Sequence, residues 1–383
     1  MSDRFAVAAA LDGAGWHPAA WRAASARPGE LFSARYWTDL VELAERAGLD
    51  FVTIEDALTV QSAAGRGIDD RVDQVRGRLD ALQIAARVAP LTTRLGLVPA
   101  TVVTHTEPFH TASLVSTLDH LSAGRGGWLP RISLDESEAG HVNIRAVPAS
   151  TEEAWAEAGD AVEVVRRLCD SWEDDAIIRD VVTGRFVDRD RLHYVDFDGP
   201  FFSVKGPSIV PRPPQGQPVV AALAGDDASL AFAAASCDVV FVTPHDVDDA
   251  AARVAAVRRA EQAVHRSGAP LVVVADVVVF LGSGAVATKA HLDELDGAEP
   301  RSDAAVFTGP AGELADLVEA WRQRGVQGVR LRPGVVTDDL AAVATDLLPE
   351  LRRRGVIGEP GSGLLRQRLG LARPANRYAR ARQ

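Results

Sequence analysis

A chain of 383 residues that is 47% hydrophobic and 25% charged has the make-up of a globular protein, long enough for one large core. Its 53 acidic and 41 basic side chains leave a net charge of −12, which repels nucleic-acid phosphates and anionic membranes and argues against both as partners. Cys169 and Cys237, the only cysteines, make neither a disulfide framework nor a metal site. With no basic leader and no apolar run near the ~20 residues of a membrane span, the chain reads as cytoplasmic.

Short apolar runs alternate with amphipathic segments from the start. A strand over Phe5 to Leu11 precedes a helix over Tyr36 to Ala47, where Leu40, Leu43, Ala44 and Ala47 share a face and Gly48 supplies the stop. A strand over Phe51 to Glu55, a helix over Leu79 to Val88 and a strand over Leu95 to Val103 follow. Pro108 then opens a helix reaching Leu121, and Gly126 to Ser133 is a fourth strand. After a long helix from Glu152 to Cys169, the stretch from Trp172 to Pro214 is rich in Asp, Gly and Pro; its LHYVDF and PFFSV pieces read as the arms of a hairpin.

Four more strands are expected at Pro218 to Leu223, Val239 to Val242, Leu271 to Leu281 and Gly328 to Leu331. Helices near Ala228 to Ala235, Val247 to Ser267, Ala311 to Arg324 and Asp338 to Arg354 separate or follow them. Runs such as VVVADVVVFL are apolar almost throughout, as parallel strands covered on both faces should be. Eight such strands alternating with helices predict a (β/α)8 TIM barrel with insertions. The expected layout is a single barrel domain over 1–357, an insertion at about 172–214, and a C-terminal tail over 358–383 whose final RPANRYARARQ lies on the surface or frays. An open doubly wound sheet is the alternative, but no GxGxxG follows the first strand.

Several blocks carry a resemblance that spans nearly the whole chain in order: THTEPFHTA, LDHLSAGRGGW, DSWEDDAIIRDVVTGRF from Asp170, FDGPFFSVKGPSIVPRPPQGQPVV from Phe197, and GSGLLRQRLGLARPANR near the end. They resemble the nitrilotriacetate and dibenzothiophene-sulfone monooxygenase group of the bacterial luciferase-like flavin-dependent superfamily. The resemblance implies a two-component enzyme. A separate flavin reductase supplies reduced FMN, and the flavin with O2 oxygenates a small organic substrate, which among relatives is an aminocarboxylate, sulfone or sulfide. It also implies a homodimer.

Mapped onto this chain, the resemblance puts Asp56 near the flavin at the end of the second strand, and Thr101 and Thr104 at its pyrimidine and ribityl side. Ser133 stands where a family Ser follows the fourth strand, and Gly225 and Asp226 stand where relatives hold the FMN phosphate. His17 and His105 are candidates for substrate binding or proton transfer, since imidazole titrates near neutrality. Each has a plainer reading: strand and turn capping for the hydroxyls, a loop or helix cap for Asp56, a satisfied loop histidine for His17 and His105.

The chain also departs from the pattern. Leu129 replaces an Asn that meets the flavin, Thr151 and Trp155 replace a His and a Tyr, and Glu55 replaces a small residue and could crowd the ring. Most consequential is Gly225-Asp226-Asp227-Ala228-Ser229-Leu230 in place of a Gly-Ala-Ser phosphate turn. Asp226 suits a helix N-cap, and a capping carboxylate takes the donors a phosphate needs. Three functions therefore stand: a reduced-FMN monooxygenase, a 5-deazaflavin oxidoreductase on the same barrel, and a degenerate barrel binding a ligand or partner through the old pocket.

Overall fold

The computed structural model describes residues 4–62, 68–142 and 145–379. Its core is eight parallel strands: β1 (Ala6–Leu11), β2 (Phe51–Ile54), β3 (Gly96–Val102), β4 (Gly127–Arg131), β5 (Val219–Leu223), β6 (Val239–Val242), β7 (Val272–Leu281) and β8 (Gly328–Pro333). Each pairs with the next, and β8 returns to β1 with Gly328 opposite Ala6, so the barrel is closed. The (β/α)8 architecture expected from the alternation is the one observed.

The helices are α1 (Ala34–Ala47), α2 (Ala81–Val88), α3 (Pro108–Leu121), α4 (Glu136–Val142), α5 (Thr151–Asp170), α6 (Asp227–Ser236), α7 (Val247–Ala263), α8 (Ala285–Asp296), α9 (Ala311–Gln323), α10 (Val336–Ala342), α11 (Leu348–Arg353) and the single turn α12 (Leu365–Arg368). In α1 the buried Tyr36, Trp37, Leu40, Val41 and Ala44 recur at helical spacing. The Ser33 side chain accepts from Tyr36 N, and Gly48, at φ 86°, ends the helix in the left-handed region.

Strand alternation divides the side chains into two layers. Leu97, Val220, Val240, Val273 and Val329 face outward into the layer shared with the helices. Ala6, Ala8, Val98, Ala100, Leu129, Ala221, Phe241 and Val274 face the lumen. The alanines there leave room for Phe51 and Phe241, whose ring centroids stand 6.2 Å apart. From below, Leu365, Leu369 and Leu371 join this lumen cluster.

Around that plug the recognisable sequence blocks meet. Asp119 accepts from Gly126 N and from both nitrogens of Gln215, while Arg366 makes a bidentate pair with Asp238. Asp170 holds Arg212, Arg212 and Arg373 hold Asp174, and Asn376 donates to the carbonyls of Asp170 and Trp172. From Arg373 to Ala379 the tail is thus pinned along the surface, whereas Leu365, Leu369 and Leu371 plug the base of the barrel; residues 380–383 lie outside the described residues.

Several features differ from expectation, among them the helix α4, which falls where the sequence reading has no element. The helix α8 was not expected, because it buries only Ala285 and Leu292 and so shows no apolar stripe. A short strand, Val306–Gly309, runs beside the far half of β7, which at ten residues is long enough to pair there as well as in the barrel. The insertion contains two hairpins: Phe197–Asp198 with Ser203–Val204, overlapping the expected pieces, and Ile177–Asp180 with Arg185–Val187.

Candidate active site

Toward the C-terminal ends of the strands the lumen changes from apolar to ionic. In GVRLRP the alternation points Arg330 and Arg332 inward from β8, and the one acid of β7, Asp276, meets them. Arg330 donates from Nε to Asp276 Oδ1 at 2.8 Å and from Nη1 to Thr53 Oγ1 at 3.1 Å. Arg332 donates from Nε to Asp276 Oδ2 at 2.9 Å and from Nη1 to Asp303 Oδ1 at 2.6 Å. Arg330 also lies 3.8 Å over the Phe241 ring. Buried charge without partners costs several kcal/mol, so these side chains persist only as a network. Burial works against the Arg332 charge, but Asp276 and Asp303 more than offset it and raise its pKa.

Above the network opens a cavity of about 430 Å³, lined by Asp12, Trp16, Glu55, Leu129, Arg131 and Trp155 among others. That volume falls in the range of small-molecule sites, roughly 300–1,000 Å³. Its walls follow from local packing. Gly15, at φ 144°, passes so close to Gly334 that any Cβ would strike the Gly334 carbonyl. This close passage lets Trp16 N donate to Pro333 O at 2.8 Å and puts the Trp16 ring 5.6 Å from Arg332. Across the mouth, Trp155 of α5 stacks on Phe232 of α6 at 4.7 Å. Glu55 turns aside to Arg131 Nη1 at 2.5 Å and Arg330 Nη1 at 3.5 Å. Burial raises the pKa of Asp12, with Arg78 opposing it.

Arg131 and Ile132 also line a second lobe of about 520 Å³, reaching over the ends of β2 to β4. Asp56 and Ser133 meet there. The Asp56 carboxylate accepts from Ala81 N, at the first residue of α2, at 2.9 Å and from Ala57 N at 2.8 Å, while Asp80 is the N-cap. Burial raises its pKa against those bonds. Behind Ser133, Thr104 Oγ1 accepts the Ser133 N–H at 3.0 Å. His105 is buried beside Glu138 and Arg145; burial lowers its pKa, and neither ring nitrogen has a partner among the described residues.

The other expected residues lie apart. Thr101 falls on the outward register of β3, between Ala100 and Val102, with its hydroxyl buried and unpartnered among the described residues. His17 packs edge-on to Phe280, accepts Ala19 N at Nδ1 and engages Asp293 through Nε2 at 3.0 Å. Burial lowers its pKa, with Asp293 opposing. Asp226 caps α6 in a capping box: its carboxylate accepts Ser229 N at 2.8 Å, while Ser229 Oγ accepts Gly225 N and Asp226 N at 3.1 and 3.0 Å.

Residues 14–345 match the family model described as luciferase-like monooxygenase. The chain belongs to that family. Luciferase-like relatives include N-acetyl-S-(2-succino)cysteine monooxygenase of Bacillus subtilis, 26% identical with 97% of each chain covered. Nitrilotriacetate monooxygenase component A of Aminobacter aminovorans is 28% identical with 96% of each covered. Among solved structures, a long-chain alkane monooxygenase superposes with a TM-score of 0.87 at 22% identity, over 97% of this chain and 96% of that one. A riboflavin lyase crystallised with a modified FMN and riboflavin gives 0.84 at 22%, over 96% of each. The chain is therefore an oxidoreductase of the luciferase-like monooxygenase type, resembling the nitrilotriacetate and dibenzothiophene-sulfone enzymes.

Among the described residues there is no cluster of His, Cys, Asp and Glu fit for a metal ion, and no helix is long and apolar enough to cross a membrane. The mouth residues Asp12, Asp276, Arg330 and Arg332 were not singled out from sequence. Their signal was available: a lone acid inside VVVADVVVFL and two arginines two apart in GVRLRP imply a buried pairing. Such a pattern shows that partners exist without showing which ones.

Proposed function

We propose that the chain is a flavin-dependent monooxygenase, with reduced flavin supplied by a separate reductase and a small organic substrate as acceptor of one oxygen atom. The observation that carries this reading is the two-lobed mouth: one lobe walled by Trp16, Trp155, Leu129 and Leu223, joined at Arg131 to a second lobe holding Asp56 and Ser133. Indole and aliphatic side chains beside guanidinium donors suit a flat, partly polar ring. Active sites of β/α barrels sit at this end of the strands.

Bound reduced flavin supplies two electrons to O2, so that one oxygen atom enters the substrate and the other leaves as water. The protein's part is to bind, orient and exclude solvent. Trp16 and Trp155 close the sides of the lobe. Arg131, Arg330 and Arg332 would offer positive charge to a reduced, anionic ring, and their carboxylate partners hold them still. Asp12, whose carboxyl keeps its proton to higher pH than usual, stands in the same lobe as a proton donor. His105, whose burial disfavours the charged ring and whose nitrogens have no partner among the described residues, is the second candidate for moving a proton.

Anaerobic titration with reduced FMN, followed by flavin absorbance and quenching of Trp fluorescence, tests the reading. Saturable binding is expected. Binding of a 5-deazaflavin alone would replace it with hydride transfer on the same barrel.

A further inference from the structure

We propose that a small cavity at the base of the barrel binds an inorganic oxyanion, phosphate or sulfate, and that Arg368 is the residue that holds it. The site lies at the opposite end of the barrel from the mouth and does not depend on the flavin reading.

The cavity, of about 70 Å³, opens beside the starts of β1, β7 and β8 at Ala6, Val272 and Gln327, and Arg4, Arg258 and Arg368 line it. A water needs roughly 10–15 Å³ on this scale, so the space takes about five oxygen atoms, enough for a tetrahedral oxyanion and too little for a nucleotide.

Arg368 ends α12, and its side chain is only 4% exposed. Its Nε and Nη2, the paired donors that an arginine offers to a carboxylate or phosphate, have no partner among the described residues. Nη1 stands 3.7 Å from Asp50 Oδ1, too far for a hydrogen bond. That oxygen already accepts Arg4 Nη2 at 2.7 Å, and Oδ2 accepts Val7 N at 3.0 Å.

The neighbouring charges do not make up the deficit. Arg258 is matched by Glu261 at 2.9 Å. Arg125 spends its donors on Thr92 Oγ1 and on the carbonyls of Ala89, Thr92 and Leu95. The charges that act on Arg368 are those of Arg4, Arg125, Asp50 and Glu45, so with its own there are three guanidiniums against two carboxylates, one positive charge in excess. Burial pushes its pKa down to about 10, which still leaves it charged at neutral pH. A water could satisfy the donors but not the charge, whereas an anion does both. Because the guanidinium charge is delocalised, an anion in the cavity offsets it whichever nitrogen it touches. Bound there, it would tie the plug of Leu365, Leu369 and Leu371 to the starts of β1 and β7.

The test is calorimetric titration of the full chain with sodium phosphate, sodium sulfate and sodium chloride at constant ionic strength, alongside thermal unfolding. Phosphate and sulfate should bind alike, because guanidiniums only donate. Both should bind about tenfold tighter than chloride and raise the melting temperature by a few degrees. Arg368→Met should abolish this binding and melt no lower than wild type in chloride, because it removes an underpaired buried charge. Ala269→Glu, at an exposed position on the cavity rim, keeps the fold and should weaken phosphate by about tenfold through like charge. Both oxyanions also stabilise proteins by exclusion from the surface, so an equal rise in wild type and Arg368→Met would overturn the proposal. Chloride binding as tightly as phosphate, or phosphate binding unchanged in Ala269→Glu, would overturn it as well.

Discussion

At its N-terminal end the barrel lumen is closed by Leu365, Leu369 and Leu371 beneath Phe51 and Val98, whereas at its C-terminal end the same lumen holds Asp276, Arg330 and Arg332. The base is built from the blocks that make the chain recognisable: Asp119 with Gln215, Arg212 with Asp170 and Asp174, Asn376 with the Asp170 and Trp172 carbonyls. The mouth holds the departures Glu55, Leu129 and Trp155. The resemblance therefore speaks most directly about how the barrel is closed and least about what it binds. These paired residues at the base need only each other, while one at the mouth must satisfy a partner and leave room for a ligand.

Removing one member from each end should break this contrast open. Asp276→Ala leaves Arg330 and Arg332 buried without their shared carboxylate, and a loss of about 3–5 kcal/mol is expected from urea unfolding. Leu365→Ala at the base should cost less, about 2–4 kcal/mol, because it removes packing without stranding a charge. If the leucine proved the costlier, the mouth network would not be the more strained of the two ends.

A pH series sharpens the same comparison. Burial pushes Asp339, at the mouth side of α10, up to about 7, and Asp119, at the base, up to about 6. Each folded-state pKa exceeds its unfolded value, so the folded protein binds the extra proton and stability falls as pH rises through the window between them. Asp339 alone should lower stability by about 1 kcal/mol between pH 6 and pH 7. Thermal unfolding of Asp339→Asn should lose that slope, while Asp119→Asn should flatten the curve only at lower pH. A wild-type melting temperature that rises from pH 6 to pH 7 would contradict the assignment.

The smallest effect belongs to the wall of the mouth. Trp155→Leu removes the indole stacked on Phe232 without stranding a charge. Reduced-flavin affinity should drop by about threefold to tenfold, roughly 1 kcal/mol, with little change in unfolding. Equal binding by the variant would place the ring elsewhere in the mouth.

The order of strands and helices and a hairpin in the insertion could be read from periodicity, since each depends on residues close in sequence, and their regular alternation implied a parallel barrel. The helix α8 could not, because it buries too few residues to show a stripe. Site residues divided similarly. Asp56 and Ser133 reach one lobe because each ends a strand at the same rim, and Asp226 caps α6 through Ser229 three residues on. Only the closed barrel brings Thr53, Asp276 and Arg330 within hydrogen-bonding distance across as many as 277 positions of sequence. Local order sets which residues point inward, but the partner of a buried charge is chosen by strand register and barrel closure, and those exist only once the chain has folded.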